Sequence, residues 1–362
     1  MTRAIHRVVA AWMALTLMSA ACCLAAGEPP WPALPKADGD VVIPAQEWPA
    51  MPGPRTVKVY IRYPGGALKN VRRTTGLMLS NHNWGGTRWS GTVNPKTLAN
   101  RYNVVGISLD YLQSGKRDKT IAYDFGYLQA LDALRALGFV YNGLVKRRVA
   151  FARGRIYATG GSGGGNVSLM VNKLAPRTFA CIIDMSGMAR LTDDIAFGLP
   201  GGSSLNAGYS KDPKNPNHLT VDAQALRWPG HPTHLKRMKR LGNTCKVIIS
   251  HGTTDGACPC DDAREMAANM KAAGLDVEPH FITKADCDGK PLANTGHSVG
   301  NRTQICFHWG DKYLKPDSPT AIVRKGRTDF DLRDEKVRFR TPNGGTIISY
   351  KAGYPVGRFV RK

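Results

Sequence analysis

The chain has 362 residues, 42% of them hydrophobic, ample for one large core in a single α/β unit. Fifty Lys and Arg stand against 27 Asp and Glu, a net charge of +23, which speaks about partners and steering rather than fold. No recognised nucleic-acid-binding motif accompanies that charge, which ranks nucleic acid behind a polyanionic substrate, an anionic cell surface or a plain basic exterior.

The first 26 residues read as a secretory signal peptide. Arg3 and Arg7 precede the apolar run Val8 to Leu17, and Ala20-Ala21 and Ala25-Ala26 offer small residues for cleavage. Cutting near Ala26 removes two arginines and leaves +21. Cys22 and Cys23 raise a lipoprotein alternative, but neither has the Leu three residues upstream that lipid attachment favours. The run is too short to span a membrane, and no later stretch is long and apolar enough. The chain is therefore expected to be periplasmic or secreted.

Residues 27–54 form a Pro-rich, extended leader, although Asp40 to Glu47 already looks like a strand. Thr56 to Tyr63 alternates Val57, Val59 and Ile61 with polar neighbours, as a half-buried strand does. Gly76–Ser80, Val104–Leu109, Arg155–Thr159, Phe179–Asp184, Lys246–Ser250 and Val277–Thr283 are short runs suited to buried parallel strands. Helical spacing predicts helices over Ile121–Leu137, Val167–Leu174, Asp261–Ala273 and Arg302–Leu314. The alternation implies a doubly wound, mostly parallel sheet with helices on both faces, in a domain of about residues 55–315. Residues 188–243 break the rhythm and read as a cap or lid insertion. Residues 316–362 read as a β-rich tail, with Pro342-Asn343-Gly344-Gly345 as its turn.

Gly160-Gly161-Ser162-Gly163-Gly164 fits G-x-S-x-G between a strand and a helix, the context of a nucleophile elbow. Rival glycine motifs fail. A dinucleotide fingerprint would need glycine where Asn166 or Ser168 stands, and a P-loop would need Lys-Ser/Thr where Asn166-Val167 stands. In this chain order an acid and then a histidine should follow. Asp255, just past the Lys246–Ser250 strand, is the favoured acid, with Asp261, Asp262 and Asp184 as alternatives. His297, on the loop before the last helix, is the favoured base. His251 should shape the turn before Asp255, while His280 and His308 read as packing residues. His218, His231 and His234, in the insertion, could touch substrate. The backbone N–H of Gly163 should help hold the oxyanion, with Asn83 or Trp84 supplying the second donor. Ser162 would attack a carbonyl, His297 would take its proton, Asp255 would orient His297, and water would release the acyl group. This scheme needs no metal and no organic cofactor.

The Gly160–Gly164 elbow and the turn His251-Gly252-Thr253-Thr254-Asp255 resemble those of the α/β-hydrolase superfamily, in its prolyl-oligopeptidase-like and dienelactone-hydrolase-like branches. The run Lys173-Leu174-Ala175-Pro176-Arg177-Thr178-Phe179, ending in Ile183-Asp184-Met185-Ser186, also resembles an uncharacterised bacterial family of that clan. The resemblance covers about residues 55–315. It implies the fold and the triad, and it leaves the substrate open among esters and amides. A mature chain of +21 would also suit the polyanionic substrate of poly(aspartic acid) hydrolases, exported bacterial enzymes of this broad type. A small-substrate carboxylesterase and a non-catalytic basic binding protein on the same scaffold are the alternatives.

Six cysteines remain beyond the leader, an even count that favours disulfides in an exported chain. One bridge is expected between Cys258 or Cys260 and Cys287, holding the acid and base loops in register. A second is expected between Cys181 and Cys245, and Cys306 completes the six. Cys258-Pro-Cys260 has no close His in sequence, which argues against a structural metal site.

Overall fold

The computed structural model describes residues 30–115, 118–200, 202–333 and 335–362; the expected signal peptide, with Cys22 and Cys23, lies outside them. The main sheet has eight strands: β1 (Gly39–Ala45), β2 (Arg55–Arg62), β3 (Gly76–Asn81), β4 (Val104–Asp110), β5 (Ile156–Gly161), β6 (Cys181–Met185), β7 (Lys246–Gly252) and β8 (Asp276–Ile282). Their spatial order is β1-β2-β4-β3-β5-β6-β7-β8. The β1–β2 and β2–β4 pairs are antiparallel and the rest are parallel. Because β1 belongs to the sheet, the sheet begins inside the segment read as a leader. The central strands β3, β5 and β6 are buried along their whole length, which explains their continuous apolar runs.

Helices cover both faces. One core packs α2 (Tyr127–Lys146), α3 (Gly163–Leu174) and α7 (Cys260–Ala272) through residues such as Leu131, Val167 and Met266. The other packs α1 (Pro95–Tyr102) and α8 (Arg302–Leu314) through Leu98 and Ile305. Helix α2 starts later than its periodicity predicts. Phe125 and Gly126 have φ of 53° and 87°, in the left-handed region that ends helical hydrogen bonding. The helix also runs beyond Leu137, because Phe139, Val140, Tyr141 and Leu144 are buried too.

The insertion folds as three short helices, α4 (Asp193–Phe197), α5 (Val221–Leu226) and α6 (Pro232–Arg240). Met188, Leu191, Ile195, Ala207 and Leu219 form a third apolar cluster with Tyr123, Phe125 and Cys258, against which Trp84 packs. Lys173 of α3 holds the insertion from below. Its buried ammonium donates to the carbonyl of Leu226 (2.6 Å), a C-terminal acceptor of α5 that lacks an intrahelical donor, and to that of Trp228 just beyond the helix (2.9 Å). Burial pushes the Lys173 pKa well below its ordinary value.

The tail forms a three-stranded antiparallel sheet, β9 (Lys336–Thr341), β10 (Gly344–Ser349) and β11 (Val356–Arg361), with β10 in the centre. The turn Pro342-Asn343 joins its first pair as expected; β11 was not expected. Val337, Phe339, Ile348 and Tyr350 are buried in the main core. Asp329, just before this sheet, accepts from the backbone N–H of Arg177 (2.8 Å), from its Nε (2.9 Å) and from the Thr178 hydroxyl (2.9 Å).

Candidate active site

Ser162 sits between β5 and α3 with φ 56° and ψ −122°, a strained conformation for a residue with a side chain, costing on the order of 1–3 kcal/mol. Its glycine neighbours make that turn possible. A Cβ on Gly160 would lie 2.2 Å from the Gly164 carbonyl oxygen, and one on Gly164 would lie 2.0 Å from that of Asn81. The chain cannot turn this sharply with larger residues there.

Asp255 follows β7, and His297 lies on the loop between β8 and α8. The Ser162 hydroxyl donates to His297 Nε2 at 2.9 Å, and His297 Nδ1 donates to Asp255 Oδ2 at 2.8 Å. The other Asp255 oxygen accepts the backbone N–H groups of Ala257 and Cys258, both at 2.9 Å. His251 Nε2 lies 3.3 Å from Oδ2 and 2.8 Å from the Cys258 carbonyl. Burial works against a charge on Asp255. Hydrogen bonds from His251, His297 and Cys258 outweigh it and hold the carboxyl well below the usual carboxylate range. For His251, too, burial opposes charge, and hydrogen bonds to Asp255 and the Cys258 carbonyl, with Asp184 nearby, overcome it and raise its pKa. His251 therefore does more than shape the turn, a role its sequence position did not signal.

The structure brings Ser162, Asp255, His297, Gly163 and Trp84 together. Gly163 is the first residue of α3, so its N–H has no intrahelical partner. A Cβ on Gly163 would lie 2.7 Å from the Trp84 backbone nitrogen, which puts these two amides side by side. Asn83 commits its backbone N–H to the Ser90 carbonyl at 2.9 Å, whereas the Trp84 nitrogen lies against Gly163. The indole of Trp84 stacks on Tyr123 at 3.9 Å.

The alternative acids stand apart from this chain of bonds. Asp261 and Asp262 lie in the first turn of α7, and Asp184 is buried in β6. Two insertion histidines pack against each other. His234 is fully buried, bonds to the Arg340 carbonyl at 2.7 Å and stacks on His231 at 4.1 Å. His280 stacks on Trp309 at 3.5 Å, and the His308 ring meets that indole edge-on, both as packing residues. His218 lines a groove of 1140 Å³ between the insertion, the Gln46–Ala50 segment and the tail sheet, and none of the three triad residues lines it.

The disulfide expectation is corrected. Cys181, Cys245, Cys258, Cys260, Cys287 and Cys306 are all free thiols. Cys181 belongs to the core on one face of the sheet and Cys245 to the core on the other. Cys258 is buried in the insertion cluster, whereas the Cys287 thiol turns to the Thr283 carbonyl. Hydrogen bonds hold the acid and base loops in register instead: Thr254 N–H donates to the Thr295 carbonyl at 2.8 Å, and the two hydroxyls are 2.8 Å apart. Asp255, Cys258 and His297 do place three metal-capable donor atoms within 4.8 Å of one another. Both carboxylate oxygens are already engaged, however, and burial pushes the Cys258 thiol pKa well up, which disfavours the thiolate a metal needs.

Sheet order, elbow and loop positions define an α/β-hydrolase fold, and comparison with solved structures agrees. The orthorhombic form of Pyrococcus horikoshii acylaminoacyl peptidase superimposes with a TM-score of 0.52 at 15% identity, over 78% of this chain and 42% of that one. An acylaminoacyl peptidase in complex with Z-Gly-Gly-Phe-chloromethyl ketone gives 0.52 at 16%, over 77% and 42%. Thermogutta terrifontis esterase 2 with butyrate bound gives 0.46 at 16%, over 75% and 92%. This chain thus spans about two fifths of the peptidases' length. Residues 118–310 match the model of DUF2920, described as a protein of unknown function, and the chain belongs to that family. No curated protein matches the sequence.

Proposed function

We propose that this protein is an exported serine hydrolase that cleaves ester or amide bonds through an acyl-enzyme. The observation that carries this reading is the unbroken hydrogen-bond chain from Ser162 through His297 to Asp255. Ser162 attacks the carbonyl and passes its proton to His297 Nε2. Asp255 keeps the His297 Nδ1 proton in place and stabilises the imidazolium. The amides of Gly163 and Trp84 receive the oxyanion. His297 then returns the proton to the leaving group, and water repeats the sequence to free the acid. The fold shared with acylaminoacyl peptidase supports the class of chemistry without choosing between ester and amide.

The substrate we infer is a polyanionic polymer such as poly(aspartic acid). Arg72 and Arg73, Lys146, Arg147 and Arg148, and Lys236, Lys239 and Arg240 are exposed. Attraction over such a surface raises local substrate concentration and weakens with salt. The signal-like leader supports a periplasmic or secreted setting. The test is hydrolysis of poly(aspartic acid) beside a neutral 4-nitrophenyl ester, at low and high salt, with Ser162→Ala as control. Polymer cleavage that collapses in salt while ester turnover holds supports the reading. Ester turnover with an untouched polymer leaves a small-substrate carboxylesterase. Failure of a fluorophosphonate probe to label Ser162 removes the enzyme reading.

A further inference from the structure

The elbow leaves a side-chain space at Gly161, directly before the nucleophile, and Arg302 from the start of α8 fills it. A Cβ on Gly161 would lie 2.5 Å from Arg302 Cδ and Nε and 2.6 Å from Nη1. On the other side, a Cβ on Gly91 would lie 2.8 Å from Nη1 and 2.9 Å from Asn83 Cγ. The guanidinium is thus wedged between the nucleophile strand and the loop that carries Asn83 and Trp84.

Its partners are few. Nη1 donates to the Gly91 carbonyl at 3.0 Å, and among the described residues no carboxylate pairs with it. Four other inward-facing arginines are answered. Arg55 forks onto Asp132 (2.8 and 2.7 Å), Arg177 pairs with Asp329 (2.8 Å), and Arg227 pairs with Asp124 (3.1 Å). Arg155 has no carboxylate either, yet it donates to the carbonyls of Thr74, Tyr102 and Leu314. Arg302 alone in this set keeps a cation beside the reaction centre with one acceptor among the described residues for its five N–H groups. The side chain is partly exposed, and burial of the rest lowers its pKa, with the charges of Asp255 and Asp184 only partly offsetting that cost.

We propose that Arg302 is a specificity residue that binds an anionic group of the substrate, a carboxylate close to the scissile bond. The proposal rests on the serine-hydrolase reading and gives its site a ligand chemistry. A planar guanidinium takes a carboxylate through two parallel N–H···O bonds, and in a partly desolvated site such a pair discriminates strongly against a neutral analogue. Gly161 and Ser162 are adjacent, and consecutive Cα atoms are about 3.8 Å apart. A carboxylate held by Arg302 therefore belongs to the same small group as the reacting carbonyl, or to its neighbour along a polymer.

The test compares kcat/KM for two esters of equal chain length, 4-nitrophenyl hexanoate and mono-4-nitrophenyl adipate, with the Ser162→Ala rate subtracted. The wild type is expected to favour the carboxylated ester about tenfold or more, and Arg302→Met to lower that ratio at least about tenfold, with Arg302→Lys in between. Free adipate is expected to inhibit hexanoate hydrolysis competitively in the wild type, and adipamide not to. This last comparison stands even where Arg302→Met does not fold. A ratio unchanged in a folded Arg302→Met protein, or equal inhibition by adipate and adipamide, overturns the proposal and leaves Arg302 as a clamp on Gly91. Those outcomes are distinct from loss of the underlying reading, which shows as no Ser162-dependent turnover of either ester and takes this proposal with it.

Discussion

Neighbouring strands β6 and β7 each deliver an aspartate toward the nucleophile, and the two carboxyls end in opposite states. Asp255, past the end of β7, is met by Ala257 and Cys258 amides and by two imidazoles, and is held ionised. Asp184, inside β6, is fully buried, and among the described residues no side chain donates to it. Its Oδ1 instead lies where a Cβ on Gly165 or Gly187 would fall, 2.1 Å from either. Burial raises its pKa to about 7, with His251, the Gly187 amide and Arg302 only partly offsetting it. A place at the C-terminal edge of the sheet is therefore not enough to make a triad acid. Donors aimed at the carboxylate decide which acid stays charged.

The largest effects test the ionised side of this comparison. Ser162→Ala is expected to lower kcat about 10⁴- to 10⁶-fold, and Asp255→Asn about 10⁴-fold because His297 loses its productive tautomer. Asp184→Asn, isosteric with a protonated carboxyl, is expected to change kcat less than about tenfold. Steady-state ester hydrolysis measures all three. Equal losses in the two aspartate variants would break the comparison, since Asp184 would then be part of the relay.

A second measurement sharpens it through stability. The folded-state pKa of Asp184, about 7, lies above its unfolded value of 3.8. Folding therefore binds an extra proton between those values. The contribution of Asp184 is most favourable below about pH 4 and is lost as pH rises toward 7, by about 4 kcal/mol for a shift of this size. Asp255 has the opposite sign: its contribution is present above about pH 4 and lost as pH falls. Urea unfolding of Asp184→Asn and wild type across pH 4–8 should show a gap that opens in favour of the variant up to about pH 7 and then levels. A constant gap would mean that Asp184 is charged throughout.

The same contrast marks what could be read from sequence. Ser162, Asp255 and His297 were legible because each sits where local rules converge: tiny neighbours around a strained serine, an acid just past a buried strand, a histidine on the last loop. The parallel strands were legible because full burial demands unbroken apolar runs. The start of α2 was not, because Phe125 has a helix-compatible side chain and only its backbone turns left-handed. Cysteine count suggested bridges, but three-dimensional placement put Cys181 and Cys245 in different cores and left Thr254 and Thr295 to join the loops. Arg302 and His251 gave no signal because their roles depend on space left by Gly161 and on the fold of the Asp255 turn.

His251 offers the smallest effect and the finest test, because it bonds to one aspartate and its charge is felt by the other. It bonds to Asp255 and to the Cys258 carbonyl, and its charge offsets part of the burial cost of Asp184. Replacing it removes one donor from Asp255 but leaves the Ala257 and Cys258 amides and His297 in place. His251→Gln is therefore expected to lower kcat only about tenfold, with KM changed less than about threefold, as for a residue that positions the acid without touching substrate. The opposite sign belongs to Asp184: losing the nearby positive charge should move its titration above about 7, seen as a stability gap to His251→Gln/Asp184→Asn that keeps opening to a higher pH, before it levels, than in the wild-type pair. A kcat loss as large as that of Asp255→Asn would place His251 inside the relay, and an unmoved Asp184 titration would show that the two strand ends are electrostatically independent.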